Sequence, residues 1–157
     1  MSPDPFLDEE FRVLTPEAFD FVLTNELKRA VRSQNYLTLL IIGPTTIESG
    51  PPVGSEVVRE IARLVSREVR ETDLLSETER GQVLVVLLDA DLSSSMTVVD
   101  RLASRFKHYR FTSPLVIGMG AACCPTHGAD ADTLRRAAEA YPVHSRKEAR
   151  GNASNAQ

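Results

Sequence analysis

The chain has 157 residues, of which 42% are hydrophobic and 25% charged, with two cysteines and no tryptophan. A chain of this length forms one domain that can bury enough surface to fold without disulfides or a structural metal. Eighteen basic and twenty-two acidic side chains give a formal net charge of −4, so nucleic acid is not an expected partner. No apolar run approaches the roughly 20 residues that span a bilayer, so membrane insertion is not expected either.

The two cysteines, Cys123 and Cys124, are adjacent in the sequence and are poor candidates for an intramolecular structural disulfide. The first ten residues are acidic and contain prolines, whereas a signal peptide needs a basic segment followed by an apolar one. We therefore expect reduced thiols and a cytoplasmic location. A zinc site formed with His127 is the less favoured alternative, because neighbouring strand residues point to opposite faces and a closed site needs four ligands.

The first predicted elements are a helix and a buried strand. Residues 15–17, Thr-Pro-Glu, form a helix start, and apolar residues at spacings of four, four and three predict a helix to about Arg32. Residues 36–42, Tyr-Leu-Thr-Leu-Leu-Ile-Ile, are a continuous run rich in β-forming residues and closed by Gly-Pro, which predicts a strand buried on both faces. Residues 43–54 are turn-forming and predict a loop.

A second helix, a hairpin and a third helix follow. Ser55 can cap the second helix, which we expect to end near Glu71. Residues 73–78 and 82–88 flank a short turn and predict a β-hairpin. Asp91 or one of the three serines after it can cap a third helix, whose apolar side is formed by Met96, Val99, Leu102 and Phe106.

A strand over residues 115–124 and a helix from Asp130 or Asp132 to Ala140 complete the predicted elements. We divide the chain into an N-terminal arm (1–13), a domain (14–150) and a disordered polar tail (151–157). The middle six elements run βαββαβ, an α/β fold of the α+β type with a mostly antiparallel central sheet flanked by helices. Ferredoxin-like folds and the palm of nucleotidyl cyclases share this pattern.

Several stretches of the sequence resemble the GGDEF domain of diguanylate cyclases. They are Arg70-Glu-Thr-Asp73-Leu-Leu, the hairpin from Glu79 to Asp91, Ile117-Gly-Met-Gly-Ala-Ala-Cys-Cys-Pro, Leu14-Thr15 and Gly54-Ser-Glu-Val-Val-Arg-Glu-Ile-Ala. The last stretch is similar to the family's Gly-Asp-Glu-Val-Leu helix start. The likeness covers about residues 14–152 and implies the palm-like fold and the second-messenger signalling role of this bacterial family.

The resemblance also shows which catalytic residues of these cyclases are replaced. The signature Gly-Gly-(Asp/Glu)-Glu-Phe falls on residues 79–83, which places Gly81 where the family has a metal-binding carboxylate. The family's other metal-ligating Asp falls on Gly43, and an Asp that reads guanine falls on Ser55. The loop with the guanine-binding Asn is shortened. Its phosphate-binding Lys and Arg have no assigned counterpart among the basic residues near the C-terminus, Arg146, Lys147 and Arg150.

Carboxylates must hold the magnesium that neutralises triphosphate charge when two GTP molecules are joined. Glycine offers no side-chain ligand, so the resemblance implies a degenerate, non-catalytic member with no magnesium cofactor. Many of these cyclases also bind their product, cyclic di-GMP, at an inhibitory site with an Arg-x-x-Asp that ends five residues before the signature. Arg70-Glu-Thr-Asp73 keeps that spacing and is the only Arg-x-x-Asp in the chain.

The family's second ligand-binding arginine falls on Arg101 when residues are counted without gaps from Val83. Arginine can pair with phosphate and can donate two hydrogen bonds to guanine O6 and N7, and Asp73 can accept from guanine N1 and N2. The resemblance thus implies a cyclic di-GMP site formed by Arg70, Asp73 and Arg101. Without the resemblance, the motif is explained by chance and Arg101 by an ordinary solvated helix position.

Two functions of different classes follow. The first is a cytoplasmic, non-catalytic cyclic di-GMP receptor that signals through contact with an unidentified protein partner, and whose stacked ligand can bridge a homodimer. The alternative is a ligand-independent protein-interaction scaffold in which residues 70–73 are a relic. Residual GTP or ATP binding at the altered turn, residues 79–82, is a third and weaker hypothesis.

Overall fold

The computed structural model describes residues 13–45, 55–111, 115–140 and 142–144. Within these ranges the chain forms four helices and five strands, and the expected α+β fold is confirmed. The helices are α1 (Pro16–Ser33), α2 (Ser55–Glu68), α3 (Leu92–His108) and α4 (Ala131–Ala140). The strands are β1 (Leu37–Pro44), β2 (Leu74–Glu77), β3 (Val83–Leu88), β4 (Ile117–Cys124) and β5 (Pro142–His144).

The five strands form one antiparallel sheet in the order β2-β3-β1-β4-β5. The central strand β1 pairs on one side with β3, where Leu37 faces Leu88, and on the other with β4, where Leu37 faces Cys124. All of β1 except Pro44 is buried. This burial on both faces is why its sequence is apolar except for Thr38, whose Oγ1 donates to the Ala90 carbonyl at 2.9 Å, and lacks the alternation typical of a half-exposed antiparallel strand.

Helices cover both faces of the sheet and create two hydrophobic cores. Alternate residues of β1 enter opposite cores, because side chains of a strand point in turn to its two faces. Leu40 and Ile42 pack with the apolar residues of α2 and α3. Leu39 and Ile41 pack with those of α1 and α4. The sheet therefore holds the α2–α3 layer and the α1–α4 layer in fixed positions on its two sides.

The helix starts follow the capping residues that the sequence offers. Thr15 Oγ1 accepts the Ala18 N–H at 3.2 Å, Asp91 Oδ1 accepts the Ser94 N–H at 2.8 Å and Asp130 Oδ1 accepts the Thr133 N–H at 2.8 Å. Asp91 is thus the cap of α3, where the sequence left three serines as alternatives. The bonds to Ser94 hold the pKa of Asp91 below its ordinary value.

The structure differs from the predicted elements at several places. Strand β1 continues to Pro44, two residues into the segment that we predicted as a loop. Helix α2 ends at Glu68, three residues before the expected end. Strand β5 was not predicted, because three residues without a β-forming run give no sequence signal. Val13, which we assigned to the arm, is buried in the core of the α2–α3 side, and the neighbouring Leu14 N–H donates to the Leu75 carbonyl at 2.8 Å.

The rest of the predicted arm and the predicted tail lie outside the described residues, as does most of the loop after β1. Among the helices that the structure describes, none combines the length and the apolar character needed to cross a membrane.

Candidate ligand-binding site

The Arg-x-x-Asp segment forms the tight connection between α2 and β2. The Asp73 N–H donates to the Arg70 carbonyl at 3.0 Å, and the Asp73 carboxylate accepts the Arg70 N–H at 2.9 Å. Asp73 Oδ1 also accepts the Leu88 N–H at 3.1 Å. The first two bonds close the turn, as Asp side chains commonly do, and the third ties it to the end of β3.

The Arg70 guanidinium lies against the same turn. Its Nη2 is 3.3 Å from Asp73 Oδ1 and donates also to the Leu88 carbonyl. The Asp73 side chain is only 2% exposed, whereas the Arg70 side chain is 60% exposed. The turn therefore orients the guanidinium group and leaves most of the arginine accessible to a ligand.

Arg101 is a residue of α3, and its side chain reaches the end of α2, close to this turn. Its Nη2 donates to the Glu68 carbonyl at 3.1 Å, and its Nε is 3.6 Å from Glu68 Oε1. Because Glu68 precedes Arg70 by only two residues, the structure brings the two sequence-predicted arginines to one corner of the domain. We call the set of Glu68, Arg70, Asp73, Arg101 and Arg105 the arginine corner.

Arg105 was not found from the sequence. It lies one helical turn after Arg101 on α3, and its Nε donates to Glu68 Oε2 at 2.7 Å. The spacing of four residues, which places two side chains on one face of a helix, is the signal that could have suggested it. The arginine corner therefore holds three guanidinium groups and two carboxylates.

The structure changes the role that we assign to Asp73. The sequence suggested that its carboxylate accepts hydrogen bonds from guanine N1 and N2. That carboxylate is instead buried and accepts from the Arg70 N–H, the Leu88 N–H and the Arg70 guanidinium. In this arrangement Asp73 positions Arg70 and has no exposed face for a base.

The altered signature turn lies at the other end of β2. Thr78 and Gln82 close it, with the Thr78 N–H donating to the Gln82 carbonyl at 2.8 Å and the Gln82 N–H donating to Thr78 Oγ1 at 3.1 Å. Gly81 has a φ of +84°, in the region that glycine enters without steric cost. A glycine at this position therefore suits the backbone of the turn.

Gly43, at the end of β1, packs directly against this turn. A Cβ atom built on Gly43 would lie 3.2 Å from the Gly81 carbonyl oxygen and 3.2 Å from Gln82 Cγ, so a side chain has little space. Gly43 and Gly81 offer no side-chain oxygen, and these residues do not fit a magnesium ion. In the part of the chain that the structure describes, no cluster of three or more His, Cys, Asp or Glu could hold a metal.

A cavity of about 340 Å³ opens beside the altered turn, between the ends of β1 and β4 and the end of α4. Thr45, Gln82 and Glu139 are among its lining residues. Glu139 is the only charged residue in the described lining, and its carboxylate is 3.7 Å from Arg80 Nη1. Since Arg80 pairs with Glu139, the charge of that carboxylate is compensated, and the described lining contains no basic residue that could bind a triphosphate.

The two cysteines lie at the end of β4 as buried free thiols. The Cys123 N–H donates to His127 Nδ1 at 2.8 Å, and the His127 N–H donates to the Cys123 carbonyl at 2.7 Å. Burial, assisted by the neighbouring Cys123, raises the pKa of the Cys124 thiol. These contacts are those of strand packing and a closing turn.

The sequence matches no protein-family profile and no curated protein. Its fold, in contrast, is similar to several solved GGDEF domains. The GGDEF domain of TpbB (YfiN) from Pseudomonas aeruginosa superposes with a TM-score of 0.71 at 19% identity, over 85% of this chain and 84% of that chain. The GGDEF domain of DgcB from Caulobacter crescentus, solved in complex with cyclic di-GMP, gives 0.69 at 14% identity over 89% of each chain.

The diguanylate cyclase SiaD from Pseudomonas aeruginosa, solved in complex with its activator SiaC, gives a TM-score of 0.70 at 18% identity. That alignment covers 87% of this chain and 56% of SiaD. At these identities the likeness establishes the fold. The chain therefore has the palm-like fold of GGDEF domains.

Proposed function

We propose that this chain is a non-catalytic cyclic di-GMP receptor that binds the dinucleotide at the arginine corner. The observation that carries the proposal is the Arg70 guanidinium, which Asp73 and Leu88 orient although the side chain is 60% exposed. An arginine held in place before binding loses less conformational freedom when a ligand arrives. The cyclic di-GMP complex of DgcB, which has the same fold, supports the choice of ligand.

Arg101 supplies the second guanidinium of the proposed site. Its Nη2 bond to the Glu68 carbonyl holds it beside Arg70, and its side chain is 53% exposed. Guanidinium groups can pair with phosphate oxygens and with guanine O6 and N7, both of which cyclic di-GMP carries twice. In this proposal Arg70 and Arg101 contact the ligand, and Asp73 acts through Arg70.

We further propose that the protein does not make cyclic di-GMP. The cyclase reaction needs magnesium held by carboxylates near the attacking and leaving oxygens. Gly43 and Gly81 replace those carboxylates, and the contact of Gly43 with the turn leaves little space for another side chain. Product formed from GTP and magnesium by the purified protein would contradict this part of the proposal.

The proposed signal passes to a protein partner or to a second copy of the chain. SiaD, a relative in fold, was solved with its activator protein SiaC, so a GGDEF fold is compatible with a protein partner. A stacked pair of ligand molecules presents guanines and phosphates on two sides and can bridge two arginine corners. The receptor is then expected to dimerise when ligand is added, which light scattering measures.

The first experiment is isothermal titration with cyclic di-GMP of the wild type and of Arg70→Ala. Arg32→Ala is the matched control, because it removes an exposed arginine from α1 on the opposite face of the sheet. We expect saturable binding to the wild type and to the control, and loss of binding to Arg70→Ala with an unchanged circular dichroism spectrum. No binding to the wild type by titration and by a second method would overturn the receptor proposal.

The scaffold hypothesis remains the second candidate, and an exposed aromatic residue favours it. Phe21 on α1 is 71% exposed, and large aromatic residues are enriched at protein interfaces. A pull-down of partners with and without cyclic di-GMP, and with Arg70→Ala, separates the two functions. Equal recovery in all three conditions supports the scaffold, whereas ligand-dependent recovery supports the receptor.

A further inference from the structure

Glu68 joins the two arginines of α3 in the arginine corner, Arg101 and Arg105. Its carboxylate, with a side chain only 12% exposed, accepts the Arg105 Nε–H at 2.7 Å and lies 3.6 Å from Arg101 Nε. Its backbone carbonyl accepts Arg101 Nη2 at 3.1 Å. Glu68 therefore contacts Arg101 through both its backbone carbonyl and its carboxylate, and contacts Arg105 through the carboxylate.

The two groups of Glu68 differ in what a ligand can do to them. The carbonyl belongs to the last turn of α2 and cannot leave, whereas the carboxylate can swing away by side-chain rotation. Arg101 and Arg105 are 53% and 61% exposed, so a ligand in solution can reach both guanidinium groups. Guanidinium groups pair with phosphate oxygens as they do with a carboxylate, so a ligand phosphate can take over both contacts of the Glu68 side chain.

We infer that the Glu68 carboxylate competes with the ligand for Arg101 and Arg105, and that Arg105 is a further ligand-contacting residue. A phosphate group displaces the Glu68 carboxylate and takes its place between Arg101 and Arg105, while the Glu68 carbonyl keeps Arg101 oriented. The identity of the ligand as cyclic di-GMP rests on the proposed function, whereas the exchange of carboxylate for phosphate rests on the contacts of Glu68 alone.

The test compares Glu68→Gln with Asp100→Asn. Both variants remove one negative charge, but Asp100, the sequence neighbour of Arg101, is exposed on α3 and forms no ion pair with the described residues. The probes are cyclic di-GMP and inorganic pyrophosphate, titrated at fixed salt. We expect Glu68→Gln to bind each probe about 5-fold more tightly than the wild type, and Asp100→Asn to change affinity by less than about 2-fold.

Arg105→Ala supplies the second arm of the test. It should weaken the binding of both probes and should remove the advantage of Glu68→Gln when the two substitutions are combined. Thermal unfolding of each variant checks that the fold is kept. An unchanged affinity of Arg105→Ala for both probes would show that Arg105 does not contact the ligand.

The outcomes separate this inference from the proposed function. If the wild type binds cyclic di-GMP through Arg70, but Glu68→Gln binds no more tightly than Asp100→Asn, the inference is wrong and the receptor proposal stands. If cyclic di-GMP does not bind but Glu68→Gln takes up pyrophosphate better than the wild type does, the receptor proposal fails and the inference stands. If Glu68→Gln binds neither probe, the inference is overturned.

Discussion

The two connections that flank strand β2 are built in opposite ways. Before β2, the arginine corner is made of charged side chains that bond to one another and to backbone groups of α2 and β3. After β2, the altered signature turn is closed by backbone bonds and the Thr78 hydroxyl, and Gly43 and Gly81 meet where the resemblance to GGDEF domains places carboxylates. The same fold thus keeps oriented charges at one end of a four-residue strand and none at the corresponding positions of the other. Side chains, and not the fold, decide which end presents oriented guanidinium groups.

The largest expected effect comes from removing the buried carboxylate of the arginine corner. Asp73→Ala leaves the Arg70 and Leu88 N–H groups without their acceptor, so we expect it to lower the free energy of unfolding by about 2–4 kcal/mol. Urea unfolding measures the change. Asp100→Ala, which removes an exposed carboxylate from α3, is the control. An equally small loss of stability in both variants would contradict the role of the Asp73 carboxylate in holding the turn.

The close contact between Gly43 and the altered signature turn should make stability sensitive to one added methyl group. Gly43→Ala adds a Cβ atom at 3.2 Å from a carbonyl oxygen and a side-chain carbon, so we expect a loss of about 1–3 kcal/mol in the free energy of unfolding. Gly43→Asp should lose a similar amount, and adding magnesium should not restore it. A stability of Gly43→Ala equal to that of the wild type would show that the turn has space for a side chain.

A conservative substitution at Arg70 tests whether the guanidinium group itself recognises the ligand. Arg70→Lys keeps the charge but loses the planar fork that reaches both Asp73 and the Leu88 carbonyl. We expect the affinity for cyclic di-GMP to fall about 10-fold, with a smaller change in stability than in Asp73→Ala. Titration beside Arg32→Lys measures the effect, and an affinity equal to that of the wild type would exclude recognition through the guanidinium group.

The smallest expected effect concerns Asp91, an exposed carboxylate with a local bond like that of Asp73. Its lowered pKa means that the folded state favours the charged form, so its contribution to stability is present above the ordinary pKa and is lost as the pH falls through the lowered value. The stability difference between the wild type and Asp91→Ala should therefore shrink below about pH 4. A difference that stays constant between pH 3 and pH 7 would contradict the role of the charge.

The sequence predicted the parts of the fold that depend on local signals. The apolar run at residues 36–42 indicated a strand buried on both faces, and β1 is such a strand. Thr15 was predicted to begin α1, and it does. Strand β5 was missed because its three residues carry no local signal and are defined by their pairing with the distant strand β4.

The candidate site also combines residues that could be selected from the sequence with contacts that only the tertiary structure decides. The resemblance to GGDEF domains, carried by residue identity and spacing, selected Arg70, Asp73 and Arg101 and placed glycines 43 and 81 where that family has carboxylates. Tertiary structure alone decided that Asp73 points inward, because its partner Leu88 lies fifteen residues away on β3. It also brought Arg105 to Glu68 across thirty-seven residues. Capping, turn and periodicity signals act over a few residues, whereas the direction and burial of a charged side chain depend on elements that meet only when the sheet and helices have packed.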